Sequence, residues 1–143
     1  MISMKFKQVF FTSKAVLSAT DRATRRVLSR FGAYVRRAAK SSIRKRKAIS
    51  RPGQPPSSHT GLLKRFIFFG YDPTRRSVVI GPARLTRGGR GDAPSLLEYG
   101  GAATLKKRRR RKRARFRARP YMGPAMEHEK PKLPQMWRDS VSS

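Results

Sequence analysis

KAVLSATDRATRRVLSRFGAYVRRAAKSSI, running from Lys14 to Ile43, is the stretch whose reading decides the fold. At 100° per residue, Val16, Ala23, Val27, Phe31, Tyr34, Val35 and Ala38 fall within one arc of roughly a third of the circle. Arg22, Arg25, Arg26, Arg36, Arg37 and Lys40 fall on the opposite arc. This spacing predicts one long amphipathic helix over 14–43, with Ser13 as its N-cap. Its apolar side calls for a sheet to cover it, and its other side is a basic face.

Outward from the helix the chain changes character. Arg44, Lys45, Arg46 and Lys47 are four consecutive cations, and Ser50-Arg51-Pro52-Gly53-Gln54-Pro55-Pro56 follows. The prolines exclude helix and interior strand, so 44–60 reads as a stiff connector. Leu62 to Tyr71 and Ser77 to Ile80 are apolar and β-branched runs separated by Asp72-Pro73-Thr74, a turn signal. They predict an antiparallel hairpin that Gly81-Pro82 ends. The glycine-rich 85–92 reads as a loop, and its Arg90-Gly91-Asp92 as a chance tripeptide. Ala93 to Gly100 reads as a short helix, with Pro94 in its first turn and Gly100 as its stop. Met4 to Phe10 is a candidate strand without strict alternation.

The segment from Lys106 to Arg119 holds Lys106, Lys107, Arg108, Arg109, Arg110, Arg111, Lys112, Arg113, Arg115, Arg117 and Arg119. Mutual repulsion predicts a loop for its first part. Ala114, Phe116 and Ala118 alternate with arginines in its second part, which predicts a strand. After Pro120, a helix is expected over Ala125 to Lys130, with Pro124 at its first position. Pro131 and Pro134 interrupt it. Leu133, Met136, Trp137 and Val141 then form a last amphipathic piece that needs docking to be stable. The whole reads as a single domain over 1–143. Its class is α+β: a long N-terminal amphipathic helix on a small antiparallel sheet, short C-terminal helices and a long basic loop. The sheet and a short helix lie in 61–100, the basic loop and strand in 101–119, and the helical segment in 120–143.

Composition narrows the function. Across 143 residues, 36 Lys and Arg oppose 7 Asp and Glu, a net charge of +29. Such an excess calls for a polyanionic or acidic partner. There is no cysteine, so no disulfide and no thiolate metal site. No apolar run is long enough to span a membrane, and no signal peptide is read at the N-terminus. The acids are scattered, and Glu127-His128-Glu129 is their one local cluster. Residues two apart on a helix diverge, so a surface helix is expected there rather than a metal site. There is no phosphate-binding glycine motif, so neither an enzyme, a cofactor nor a small-molecule substrate is expected.

Polyanion binding is the positive signal, with the run from Lys106 to Arg119 as the primary site. The helix face together with Arg44 to Lys47 is a secondary one. If half of the run met phosphates, log affinity would fall with log salt at a slope of about −5, and a fourfold rise in salt would cost roughly 10³ in affinity. Nothing in the run resembles base readout, so contact with the backbone is expected.

Four stretches in order carry a resemblance. Pro52-Gly53-Gln54-Pro55-Pro56 with Thr60-Gly61-Leu62-Leu63-Lys64 is the first, and Val79-Ile80-Gly81-Pro82 the second. Leu96-Leu97-Glu98-Tyr99-Gly100 is the third, and Ala118-Arg119-Pro120-Tyr121-Met122-Gly123-Pro124-Ala125-Met126 the fourth. Their order and spacing over residues 14 to 130 resemble the head–tail joining, or tail-completion, proteins of long-tailed bacteriophages. The resemblance implies a virion structural protein of the neck, made in the host cytoplasm, and a homo-oligomeric ring of six around the DNA channel. It implies other neck and tail proteins and packaged double-stranded DNA as partners. The segment between Gly100 and Pro120 departs from the family, in which it is shorter and less basic. The motif residues read as fold-defining: Tyr99 and Tyr121 are suited to bury their rings while their hydroxyls stay wet. The alternative from charge alone is a small, non-specific nucleic-acid-binding protein of ribosomal or chromatin type.

Overall fold

The computed structural model describes residues 13–83, 93–107 and 110–140. The candidate strand at Met4 to Phe10, the loop with Arg90 to Asp92, and Val141 lie outside them. The elements in chain order are α1 (Ser13–Ser42), α2 (Leu62–Arg65), β1 (Ile67–Asp72), β2 (Ser77–Pro82), α3 (Ala93–Tyr99), β3 (Gly101–Lys107), β4 (Arg110–Phe116), α4 (Met122–Glu129), a 3₁₀ turn (Lys130–Lys132) and α5 (Leu133–Ser140). The α+β class is as expected, with two separate two-stranded antiparallel sheets in place of one.

α1 forms where the periodicity predicts, but its buried side is a slanted row. Val27, Phe31, Val35 and Ala39 are buried, and Ile43 just beyond the helix continues the series. Each step of four residues advances about 40° around a helix of 3.6 residues per turn. The row therefore winds across the cylinder and reaches the side of Arg36 and Lys40 by its C-terminal end. This is why Val16, on the apolar arc, is 45% exposed, while Arg36 and Lys40, on the basic arc, are half-buried.

β1 and β2 cover that row. Ile67, Phe69 and Tyr71 share one face with their register partners Pro82, Ile80 and Val78. The alternation leaves Phe68 and Val79 outside, at 49% and 66% exposure. Gly32 makes the close approach work. A β-carbon there would stand 2.8 Å from Val78 Cγ2 and 2.9 Å from Phe69 Cδ2. The Asp72 carboxylate closes the hairpin by accepting from Thr74 N at 2.9 Å and Arg75 N at 3.3 Å. Leu62 to Arg65 is not strand, as its apolar run suggested, but one helical turn whose Leu63 packs on the core. The strand β2 also runs through Gly81-Pro82 rather than stopping before it.

α4 and α5 close the other side of α1. Tyr121 and Ala125 complete the buried cluster, with Met122, Leu133 and Met136 packed against it. α4 starts two residues before the expected Pro124, which sits at its third position, where a helix needs no N–H donor. Pro131 interrupts the helix as expected, in the 3₁₀ turn, whereas Pro134 breaks nothing and sits at the second position of α5, where a helix needs no N–H donor.

A candidate nucleic-acid interface and the joint that carries it

Among the described residues of the basic run, Lys106, Lys107 and Arg110 to Phe116 are strand rather than loop. They belong to a strand pair in which Ala102 stands opposite Arg115, Ala103 opposite Ala114, Thr104 opposite Arg113 and Leu105 opposite Lys112. Lys106 and Lys107 stand opposite Arg111 and Arg110. The strand β3 was hidden in the sequence because Ala102, Ala103 and Thr104 form no β-branched or aromatic run and like-charge repulsion argues against pairing. Arg108 and Arg109 lie outside the described residues. Arg110, Arg111, Lys112, Arg113, Arg115 and Arg117 are exposed, whereas Ala103, Ala114 and Phe116 are half-buried. The alternation expected for Ala114 to Arg119 holds as far as Phe116, where β4 ends.

Arg119 belongs to a different structure. It is half-buried, its Nε donates to Ser50 O at 3.0 Å, its Nη1 donates to Arg117 O at 3.3 Å, and its backbone N donates to Leu97 O at 2.6 Å. A guanidinium so engaged is a structural tie, which corrects its place among the polyanion-binding residues. Nearby, Gly53 N donates to Ala118 O at 2.9 Å. The Glu98 carboxylate accepts from the backbone N–H groups of Tyr121, Met122 and Gly123 at 2.9, 3.0 and 2.7 Å. These are donors at the start of α4, and an anion placed there meets the positive end of the helix dipole.

Three of the four motif stretches therefore meet in one joint, bonded across separations of up to 69 residues. Gly100 turns the chain from α3 into β3 at φ +73°, and a β-carbon there would come within 2.9 Å of Ala118 N. Pro56 is buried and Pro55 half-buried in the connector, while Pro52 is exposed. Ser58 Oγ accepts from Gly61 N at 3.0 Å and Thr60 Oγ1 from Leu62 N at 3.4 Å. The fourth stretch, Val79 to Pro82, lies in β2. Two motif residues depart from expectation. Tyr99 is 81% exposed, and Tyr121 is 1% exposed with its hydroxyl buried too. Tyr121 starts the α4 turn against α1, whereas Tyr99 ends α3 on the outside.

The secondary basic face divides. Arg22, Arg25, Arg26 and Arg37 are exposed, as are Arg44, Lys45, Arg46 and Lys47. Arg36 is turned inward: its Nε donates to Ile67 O at 2.7 Å, and its guanidinium lies 6.0 Å from the Phe68 ring centre. Lys40 has its pKa lowered by burial first, then by Arg36 and Lys64 nearby. Arg44 and Arg46 border a cleft with Ser41, Ser42, Gln54, Pro55 and Pro56.

Several acids have structural duties. Asp21 pairs with Arg76 at 3.3 Å, and Glu127 approaches Lys130 at 3.9 Å. The cluster Glu127-His128-Glu129 is not wholly a surface feature, because Glu129 is 5% exposed. Its carboxylate accepts from Lys132 Nζ at 2.6 Å and meets His128 Nδ1 at 3.0 Å. The Lys132 hydrogen bond is the main cause holding its pKa below the usual carboxylate range, against the opposing push of burial. Among the described residues, no group of three or more His, Asp or Glu could hold a metal ion, and no helix is long and apolar enough to cross a membrane. No family model, curated protein or solved structure matches the chain.

Proposed function

We propose that this chain is a subunit of a bacteriophage neck ring, a virion structural protein that joins head to tail around the DNA channel. The observation that carries this reading is the joint. Motif stretches that are far apart in the sequence are tied together by Glu98, Arg119 and Gly53, as expected if they define one fold. Exposed Phe68 and Val79 on the outer face of the first hairpin, and Tyr99 beside the joint, offer apolar surface for neighbouring subunits. Electron microscopy of purified particles should find the protein at the neck. Its absence from particles would end the reading.

The basic hairpin has two placements within this reading. It clamps the terminal stretch of packaged DNA, or it faces acidic surfaces of neighbouring rings; a freely sliding channel is excluded, since so many cations would hold DNA fast. Replacing Arg108 to Arg113 with Ser should give leaking genomes in the first case and unjoined heads and tails in the second. The exposed basic hairpin also favours a second reading, a small non-specific nucleic-acid-binding protein of ribosomal or chromatin type. Such a protein binds RNA as a monomer with steep salt dependence, whereas a neck subunit forms rings or requires its neighbours, which sedimentation separates.

A further inference from the structure

We propose that the β3–β4 hairpin is a ribbon that lies in the major groove of duplex DNA, with Arg111, Arg113 and Arg115 facing it. The inference rests on reading the hairpin as a polyanion contact and names the partner and the mode.

Shape is the first argument. The ribbon is seven residues long on each strand, about 24 Å at 3.4 Å per residue. Two paired strands lie about 4.8 Å apart, so the ribbon enters a major groove about 12 Å wide but not a minor groove about 6 Å wide.

The second argument is the difference between its faces. Arg111, Arg113 and Arg115 share one face, all exposed, and Thr104 and Ala102 opposite the last two are small. Alternate residues stand about 6.8 Å apart along a strand. The row therefore extends about 14 Å along the groove, with side chains long enough to reach the phosphates on its walls. The other face carries Ala103, Ala114 and Phe116, which are half-buried, near its base, and the exposed Leu105, Lys112 and Arg110 further out. Only on the face of Arg111, Arg113 and Arg115 is every β4 side chain exposed.

Charge is the third. Residues 101–119 contain no acid. Lys106 opposite Arg111 and Lys107 opposite Arg110 put like charges in register, an arrangement that costs stability until an anion neutralises it. An acidic protein surface would supply that charge too, but not a groove that fits a two-stranded ribbon. Duplex RNA supplies phosphates but a deep, narrow major groove that excludes side chains.

The test uses the full chain, a short DNA duplex and the RNA duplex of the same sequence, titrated by fluorescence anisotropy from 50 to 200 mM salt. DNA should bind at least tenfold more tightly than RNA, and guanine N7, which lies in the major groove, should be protected from methylation. The triple variant Arg111→Gln, Arg113→Gln, Arg115→Gln should suffer about 40-fold less loss over that salt range, as expected for three lost phosphate contacts. Arg22→Gln, Arg25→Gln, Arg26→Gln should keep the preference for DNA. The variant Arg111→Lys, Arg113→Lys, Arg115→Lys should keep the wild-type salt dependence, which separates lost charge from misfolding. Equal affinity for RNA, unprotected N7, or an unchanged salt loss in the glutamine variant overturns the proposal. Binding to acidic protein alone also overturns it. None of these outcomes bears on whether the protein sits at the neck, which particle imaging decides separately.

Discussion

The two hairpins share a topology and differ in what holds them in place. β1–β2 is fixed by what lies beneath it: one face sits on the buried row of α1, and Ile67 is fully buried. β3–β4 pairs mainly with itself and rests on α3 at its base. Its outer residues are cations in solvent. A side chain in the first hairpin acts through packing, whereas one in the second acts through its charge. The contrast separates packing from exposed charge within a single small chain.

The sharpest way to break this contrast is one truncation in each hairpin. Ile67→Ala should destabilise the protein by about 2–5 kcal/mol, because it opens a cavity under the hairpin. Leu105→Ala, at a position 49% exposed, should stay within about 0.5 kcal/mol. Chemical denaturation of both variants measures the difference. Similar losses would mean that the second hairpin is also part of the core.

The next effect belongs to the joint between the hairpins. Glu98→Ala removes a carboxylate that accepts from three backbone N–H groups at the start of α4. Those donors would be left without their charged partner, at a cost of about 2–3 kcal/mol. Glu98→Gln should recover part of that, because it keeps one acceptor oxygen without the charge, while its NH2 replaces the other. Thermal unfolding of the pair reads out how much of the joint is electrostatic.

How much of this was legible in the sequence depends on the range of the interaction. α1 and the first hairpin rest on local periodicity; α1 forms as expected, and the hairpin forms with a first strand that starts only at Ile67 and a second that runs on through Pro82. The slant of the buried row was not visible, because assigning residues to two fixed arcs ignores the drift of the i, i+4 series. Two fixed arcs put Arg36 and Lys40 on a solvated face, whereas the slanted row half-buries them. The second hairpin was half-read: Ala114 and Phe116 announced β4, but β3 has too little side-chain character to announce itself and exists through pairing. The joint was seen only as motifs. Nothing local in Glu98 or Arg119 says that one reaches Tyr121 and the other Ser50. Likewise, Glu129 looked like one of two surface carboxylates until the packing of α4 and α5 on α1 buried it.

That buried carboxylate gives a pH dependence to the packed half of the molecule. Glu129 has its pKa lowered in the folded state, chiefly by the Lys132 hydrogen bond. The stabilisation is thus fully present above the ordinary carboxylate range and is lost as pH falls through the lowered folded value. Melting temperature should drop across that acid window in the wild type, and the drop should be smaller in Glu129→Gln. An equal drop in both would assign the acid sensitivity to other groups.

The smallest effect is the one that most directly opposes the two roles. Arg111 stands opposite Lys106 in the second hairpin, and like charges in such a pair are destabilising. Arg111→Thr removes the repulsion and supplies a residue that favours strands, so the free protein should gain about 0.2–1 kcal/mol. The same substitution should weaken duplex DNA binding and lower the salt slope by about 1. No position in the first hairpin predicts this pairing of gain and loss, since its residues face the core or carry no row of cations. A variant that lost stability instead would show that Arg111 holds the hairpin together, and the cationic row would then be part of the fold rather than a surface for a polyanion.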